Sequence, residues 1–164
     1  AGGNARKAAT MRKREFYVVC HNIRSRENVG SVFRTGDAYG VTKIYLTGYT
    51  PSPPHHKISK TALGAESWVP WEKYGSISRL LKKLKRDGIR IIALEQSPRS
   101  GPIQKFRPRF PLALIIGSEV KGLSQKILRQ ADEAVEIPML GRKESLNVAV
   151  AFGIAAYQIA RFRD

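Results

Sequence analysis

Residues Ile137 to Tyr157 read IPMLGRKESLNVAVAFGIAAY, and the parsing of this stretch decides the fold. A short strand, AVEIP (134–138), breaks into a polar loop, and a long apolar helix starts where Ser145 and Asn147 flank Leu146. The free N–H groups and positive dipole end of that helix sit beside two neutral hydrogen-bonding side chains. Two readings stay open at this corner. Ser145 either caps the helix, as serine commonly does, or belongs to a site. The helix itself is rich in small residues, Ala149, Ala151, Gly153, Ala155 and Ala156, and apolar on most faces, so it needs more than one neighbour to cover it.

Upstream of this stretch, strand and helix signals alternate. FYVVC (16–20) reads as a buried strand, and HNIRSRENVG leads into a helix over Val29 to Tyr39 that Gly40 ends. KIYLT (43–47) is a second strand. The next segment, GYTPSPPHHKISKTALGAESWVPWEKYG (48–75), reads as a long loop whose prolines and glycines exclude regular structure over most of its length. Its adjacent His55 and His56 read as solvated. Ser76 opens a helix with Ile77, Leu80, Leu81 and Leu84 at i, i+3, i+4 and i+7, basic residues on the other faces, and Gly88 as its end. RIIALE (90–95) is a third strand, and QSPRSGPIQKFRPRFP (96–111) is a loop with four basic residues and no acidic one. PLALIIG (111–117) has no polar alternation, the mark of a central strand covered on both faces. A turn, GSEVKGL, then enters a short helix capped by Ser124. The order predicts an α/β fold with a mostly parallel sheet flanked by helices.

One domain over residues 16–164 accommodates this order, and 42% hydrophobic content in 164 residues is enough for a real core. Residues 1–15 are placed outside the fold, because AGGNARKAAT carries no apolar periodicity and reads as a disordered basic arm or an expression remnant. The formal charge of +16 attracts polyanions, which makes nucleic acid the first partner to consider. No apolar run reaches membrane-spanning length, and no signal peptide is visible. A single cysteine, Cys20, sits in an apolar run as a reduced thiol, which points to the cytoplasm.

Open parallel sheets bind ligands beyond the carboxyl ends of their strands, so the loops after residues 20, 95, 117 and 138 hold the candidates. The usual nucleotide signatures are missing. No GxGxxG follows the first strand, and GSEVKGL has no Lys-Ser or Lys-Thr pair. Gly117 and Gly122 allow a tight turn and a close approach to a ligand. Glu119 between them is either a site carboxylate or an ion-pair partner for one of the many basic residues.

Three segments together carry a family resemblance: NIRSRENVGSVFRTGDAYGV (22–41), LIIGSEVKGLS (114–124) and IPMLGRKESLNVAVAFGIAAYQIAR (137–161). They resemble, in order and spacing, the three motifs of the SpoU, or TrmH-like, family of RNA ribose 2′-O-methyltransferases. The resemblance implies a C-terminal deep trefoil knot, an S-adenosylmethionine site built from the knotted loops, and a homodimer whose interface lies beside that site. Carried over by position, Leu94, Gly117, Ile137 and Leu146 hold the cofactor, largely through backbone groups. The implied catalytic set is Asn28 and Arg34 from the first motif, Glu119 from the second, and Ser145 and Asn147 from the third. One departure is Val120, where the family often has glycine; a β-branched residue resists positive φ, so the turn must be shaped differently there. Larger relatives also carry an added RNA-binding domain, which this chain does not show, leaving target selection to the catalytic domain and its dimer.

The implied reaction is an in-line displacement needing no metal, and no cluster with metal-ligand spacing is present. It needs a hydroxyl held in line and made more nucleophilic, which are positioning and electrostatic tasks. A guanidinium is almost never deprotonated, so Arg34 is expected to stabilise a developing alkoxide or orient a phosphate. The alternatives are a catalytically silent RNA-binding protein of the same fold and a knotted base methyltransferase. The RNA path is expected along the basic faces of residues 79–90 and 99–109, with tRNA preferred over rRNA, and a homodimer is expected through the final helix and the helix of the first motif.

Overall fold

The computed structural model describes residues 2–12, 14–118 and 120–163. Glu119 therefore lies outside the described residues. Seven strands form one sheet: β1 (Phe16–His21), β2 (Lys43–Thr47), β3 (Trp71–Tyr74), β4 (Arg90–Leu94), β5 (Gly101–Pro102), β6 (Leu112–Gly117) and β7 (Glu133–Glu136). Their order across the sheet is β3-β2-β1-β6-β4-β7-β5, and every pairing is parallel. The helices are α1 (Gly2–Arg12), α2 (Arg26–Ala38), α3 (His56–Ala62), α4 (Ile77–Arg86), α5 (Gln125–Gln130) and α6 (Val148–Ala160).

Strand β6 shows why the sheet is a middle layer. It lies in register with β1 on one side and β4 on the other, and Leu112 to Ile116 are all buried. Because side chains alternate along a strand, Leu112, Leu114 and Ile116 join Phe33 of α2 and Phe152 of α6 in one core. Ala113 and Ile115 face the opposite way, into a second core with Leu80, Leu81 and Leu84 of α4 and Leu128 of α5. Each fully buried Leu or Ile here contributes about 1.5–3 kcal/mol. The unbroken apolar run PLALIIG is thus the signature of a strand with no wet face.

The segment 48–75 is more ordered than its composition predicts. It holds α3, a 3-10 turn at Ala65–Ser67 and the edge strand β3. The cause lies in a different part of the chain. A Cβ on Gly30 of α2 would come within 2.0 Å of Thr61 Oγ1 and 2.3 Å of the Ile58 carbonyl, so only glycine lets α3 lie this close. Thr61 then donates to the Glu27 carbonyl at 2.8 Å. His55 is not simply solvated: its Nδ1 accepts from Lys57 N at 3.1 Å, capping α3, and its ring stacks on His56 at 4.5 Å. Residues 2–12, expected to belong to a disordered basic arm or an expression remnant, form α1, whose residues 2–8 stay exposed.

The carboxyl ends of the chain's last helix and of α2 are stitched together by Arg163. Its guanidinium donates to the carbonyls of Tyr39 and Gly40, both at 2.8 Å, and to that of Arg14. A cation at the carboxyl end of α2 also meets the negative end of its dipole.

Cys20 lies near the carboxyl end of β1 with no exposure, and burial pushes its thiol pKa far up. The native protein is therefore expected to resist a thiol-directed maleimide at pH 8 and to react at once in guanidinium. Rapid labelling of the folded protein, followed by mass spectrometry, would contradict this packing.

Candidate active site

Two adjoining cavities open beyond the carboxyl ends of β1, β4, β6 and β7, where a parallel sheet gathers its loops. The first, of about 310 Å³, is bounded by the ends of β4, β6 and β7 and by the loop into α6. Leu94, Gly117, Ile137 and Leu146 all line it, as does Ser145. Three of these are the last or next residues of a strand, so the sheet itself positions them. Their side chains offer apolar surface or nothing, which leaves hydrogen bonding at those positions to the main chain.

The wall between β6 and α5 is a turn held by a side chain that the sequence reading did not single out. Glu95, just past β4, accepts from Leu123 N at 2.7 Å and from Gln96 N at 3.1 Å. Gly122 has φ +61, and a Cβ there would approach Glu95 Oε2 to 2.3 Å. Ser118 closes the other side, its Oγ accepting from Val120 N at 3.2 Å and its carbonyl from Gly122 N at 2.8 Å. Val120 is 91% exposed and is not among the residues with positive φ. Among the described residues of this turn the left-handed one is Gly122, which removes the conflict that valine posed. The signal available in sequence was an acid directly after an apolar strand, RIIALE.

The first cavity is locally acidic in a strongly basic chain. Glu95, Glu136 and Glu144 line it, against Lys121 as the lining cation among the described residues. Gln96 closes it over the loop by donating from Nε2 to the Glu144 carbonyl at 2.7 Å. Such a site favours a ligand with an apolar body and positive charge.

The second cavity, of about 590 Å³, shares Ser118, Val120, Lys121 and Val148 with the first. Asn28 and Asn147 meet in its wall, Asn147 Nδ2 donating to Asn28 Oδ1 at 3.2 Å. Asn147 is the N-cap of α6: its Oδ1 accepts from Ala149 N at 2.9 Å and Val150 N at 3.3 Å. Ser145 is therefore not the cap, and the choice left open in the sequence resolves toward a cavity-lining residue. Ser25 caps α2 by accepting from Asn28 N at 3.1 Å. Two helix N-termini thus converge on one cavity, so their partial positive charges add where an anion or a developing alkoxide can sit.

Arg34 is not brought to either cavity. It lies about 1.7 turns beyond Asn28 on α2 and lines a separate depression with Ser31, Thr35, Lys60, Thr61 and Gly153 of α6. Beside it, Val150, Ile154 and Tyr157 of α6 are 51%, 41% and 58% exposed. At i, i+4 and i+7 they form one apolar stripe.

The basic residues also divide. Arg90, Lys105, Arg107 and Arg109 surround a cavity of about 370 Å³ at the amino ends of β4 and β7, the opposite end of the sheet from the acidic one. Arg99 is turned to α5, where it donates to the Leu128 carbonyl at 3.0 Å. No helix among the described residues is long and apolar enough to cross a membrane.

The chain is similar to known proteins in sequence and in fold. A profile of the SpoU rRNA Methylase family matches residues 15–157. The chain is 32% identical over 160 residues to the tRNA (guanosine(18)-2′-O)-methyltransferase of Aquifex aeolicus, covering 97% of this chain and 75% of that one. It is 29% identical over 153 residues to the enzyme of the same name from Escherichia coli, covering 93% and 66%. Among solved structures, an AdoMet-bound rRNA methyltransferase from Sinorhizobium meliloti superposes with a TM-score of 0.84 at 27% identity, covering 91% of this chain and 57% of that one. The chain thus spans less than two thirds of the length of several relatives that it matches over nearly its whole extent. With a family profile over most of its residues, and with the loops after β4, β6 and β7 gathered around one cavity, the chain belongs to the SpoU rRNA methylase family.

Proposed function

We propose that this protein is an RNA methyltransferase that binds S-adenosylmethionine and methylates a ribose 2′-hydroxyl. The observation that carries this reading is the junction of an acidic, apolar-walled cavity with a second cavity at which two helix N-termini converge. The first fits S-adenosylmethionine: Leu94, Ile137 and Leu146 offer an apolar wall, and Glu95, Glu136 and Glu144 suit its positive charge. When bound there, the cofactor supplies an electrophilic methyl group on a sulfonium. Gly117 leaves room at the end of β6, since a Cβ would come within 2.6 Å of Leu123.

In the second cavity, Asn28, Asn147 and the N-termini of α2 and α6 hold the ribose and stabilise negative charge as its hydroxyl loses a proton. Ser145 lies on the cofactor side and orients the polar end of that ligand. Glu119 is assigned with them by its place in the motif. The knotted path that the resemblance implies belongs to the same reading, and the meeting of three loops around one cavity supports it.

Arg34 fits this scheme through a second copy of the chain. Its position beside the exposed stripe Val150, Ile154 and Tyr157 supports a homodimer through α2 and α6. In that assembly Arg34 of one protomer reaches toward a site that its own chain cannot bring it to. The substrate reading is RNA, with tRNA favoured by two of the relatives above, and the buried reduced thiol goes with a cytoplasmic setting.

Two outcomes test this. Arg34→Ala is expected to abolish single-turnover methyl transfer to RNA while calorimetry shows near-normal cofactor affinity, and Arg34→Lys is expected to fail almost as badly because lysine lacks the planar fork. Full activity in Arg34→Ala would remove this residue from the mechanism, and loss of cofactor binding would assign it to the other ligand. For assembly, the parent protein is expected to sediment as a dimer at micromolar concentration and Ile154→Lys as a monomer without transferase activity. A monomeric parent would sink the shared site.

A further inference from the structure

At the mouth of the second cavity stands Tyr49, an aromatic ring that packs into neither core and is 50% exposed. An exposed aromatic alone says little. What distinguishes this one is the amount of backbone structure that fixes it. Asn22, directly after β1, adopts a left-handed conformation with φ +55, uncommon for a non-glycine residue. In that pose its Oδ1 accepts from Tyr49 N at 3.1 Å. Gly48, with φ +63, lets the turn pass: a Cβ there would come within 1.8 Å of Asn22 Oδ1. Thr50 anchors the far side, accepting from Ile23 N at 3.0 Å and donating to the Cys20 carbonyl at 2.9 Å. The loops after β1 and β2 are thereby locked together, and that locking fixes the backbone that carries the Tyr49 ring to the cavity edge.

The ring also has a cation over it. The Arg24 guanidinium carbon lies 5.4 Å from the Tyr49 centroid, and both residues line the cavity that holds Asn28 and Asn147. An exposed aromatic ring on a fixed backbone, with a planar guanidinium over it, is a surface on which an unpaired nucleobase stacks. A duplex cannot use it, because its bases already stack on one another.

We propose that Tyr49, with Arg24, is the stacking platform for an unpaired base of the RNA substrate, next to the ribose that enters the cavity. This rests on the methyltransferase reading above and deepens it. The substrate class that follows is a loop or single-stranded nucleotide, with Tyr49 a positioning residue that sets how that nucleotide is held. Asn28 and Asn147 remain the groups that face the ribose.

The experiment uses an RNA hairpin with 2-aminopurine in its unpaired loop, and the same strand annealed to its complement. The parent protein and Tyr49→Phe are expected to quench the hairpin fluorophore, and Tyr49→Ala and Tyr49→Leu to lose the quench and bind the hairpin roughly 5- to 150-fold more weakly. Leucine keeps an apolar side chain without a π-face, so it separates stacking from packing. Cofactor affinity by calorimetry is expected to be equal in all four proteins. A leucine variant that quenches like the parent, or a parent that binds duplex as tightly as hairpin, would overturn the platform. Labelled methyl transfer by the parent is measured in parallel: its absence counts against the methyltransferase reading, whereas the quench decides the platform.

Discussion

Strand β6 has no face left for solvent, and the site depends on that constraint. A strand covered on both sides has to sit in the middle of a parallel sheet, in register with β1 and β4. Parallel pairing sends the carboxyl ends of all three strands, and of β7 beyond them, to the same edge. The glycine that ends β6 then lies between the residues that follow β1 and β4. Residues 94, 117, 137 and 146, distant in the chain, become neighbours around one cavity because the strands feeding them share a direction. Glu95 completes the arrangement by turning a carboxylate into a backbone clamp on the next loop, at 2.7 Å from Leu123 N.

Charge is distributed with a similar economy. A chain with formal charge +16 attracts RNA from a distance, but a uniformly positive surface would repel a sulfonium. Glu95, Glu136 and Glu144 in the lining of the first cavity reverse the local sign. In the adjoining cavity the positive ends of two helices take over, supplied by main-chain N–H groups that require no reorganisation when charge develops. The strongly basic cavity at the other end of the sheet is too far along the strands to act in the chemistry, and its charges are suited to holding phosphates of a longer RNA.

Much of this was legible in the sequence, and the misses have physical causes. Strand β6 announced itself through PLALIIG, and α4 through Ile77, Leu80, Leu81 and Leu84 at i, i+3, i+4 and i+7, because burial is written directly into apolar spacing. The four residues that the resemblance implies for a cofactor are distant in the chain, and the fold brings them around one cavity. Helix α3 is not legible locally because it docks against Gly30, a notch some thirty residues upstream, and local composition carries no trace of that contact. Ser145 reads in sequence as a cap or a site residue and Asn147 not as a cap at all; only the helix start at Val148 shows that Asn147 is the cap. The resemblance groups Arg34 with Asn28 in one motif, whereas its direction on α2 turns it to the face shared with α6. Spacing along a helix gives separation, but which way a side chain points depends on what the helix packs against.

The central claim is that this site moves a methyl group to a ribose hydroxyl of RNA. It is tested most directly by incubating the protein with isotopically labelled S-adenosylmethionine and total RNA, digesting the RNA to nucleosides, and locating the label by mass spectrometry. The account predicts label in a 2′-O-methylated nucleoside, seen as loss of a methylribose on fragmentation. Label retained on the base fragment, or no label in RNA at all, would contradict it.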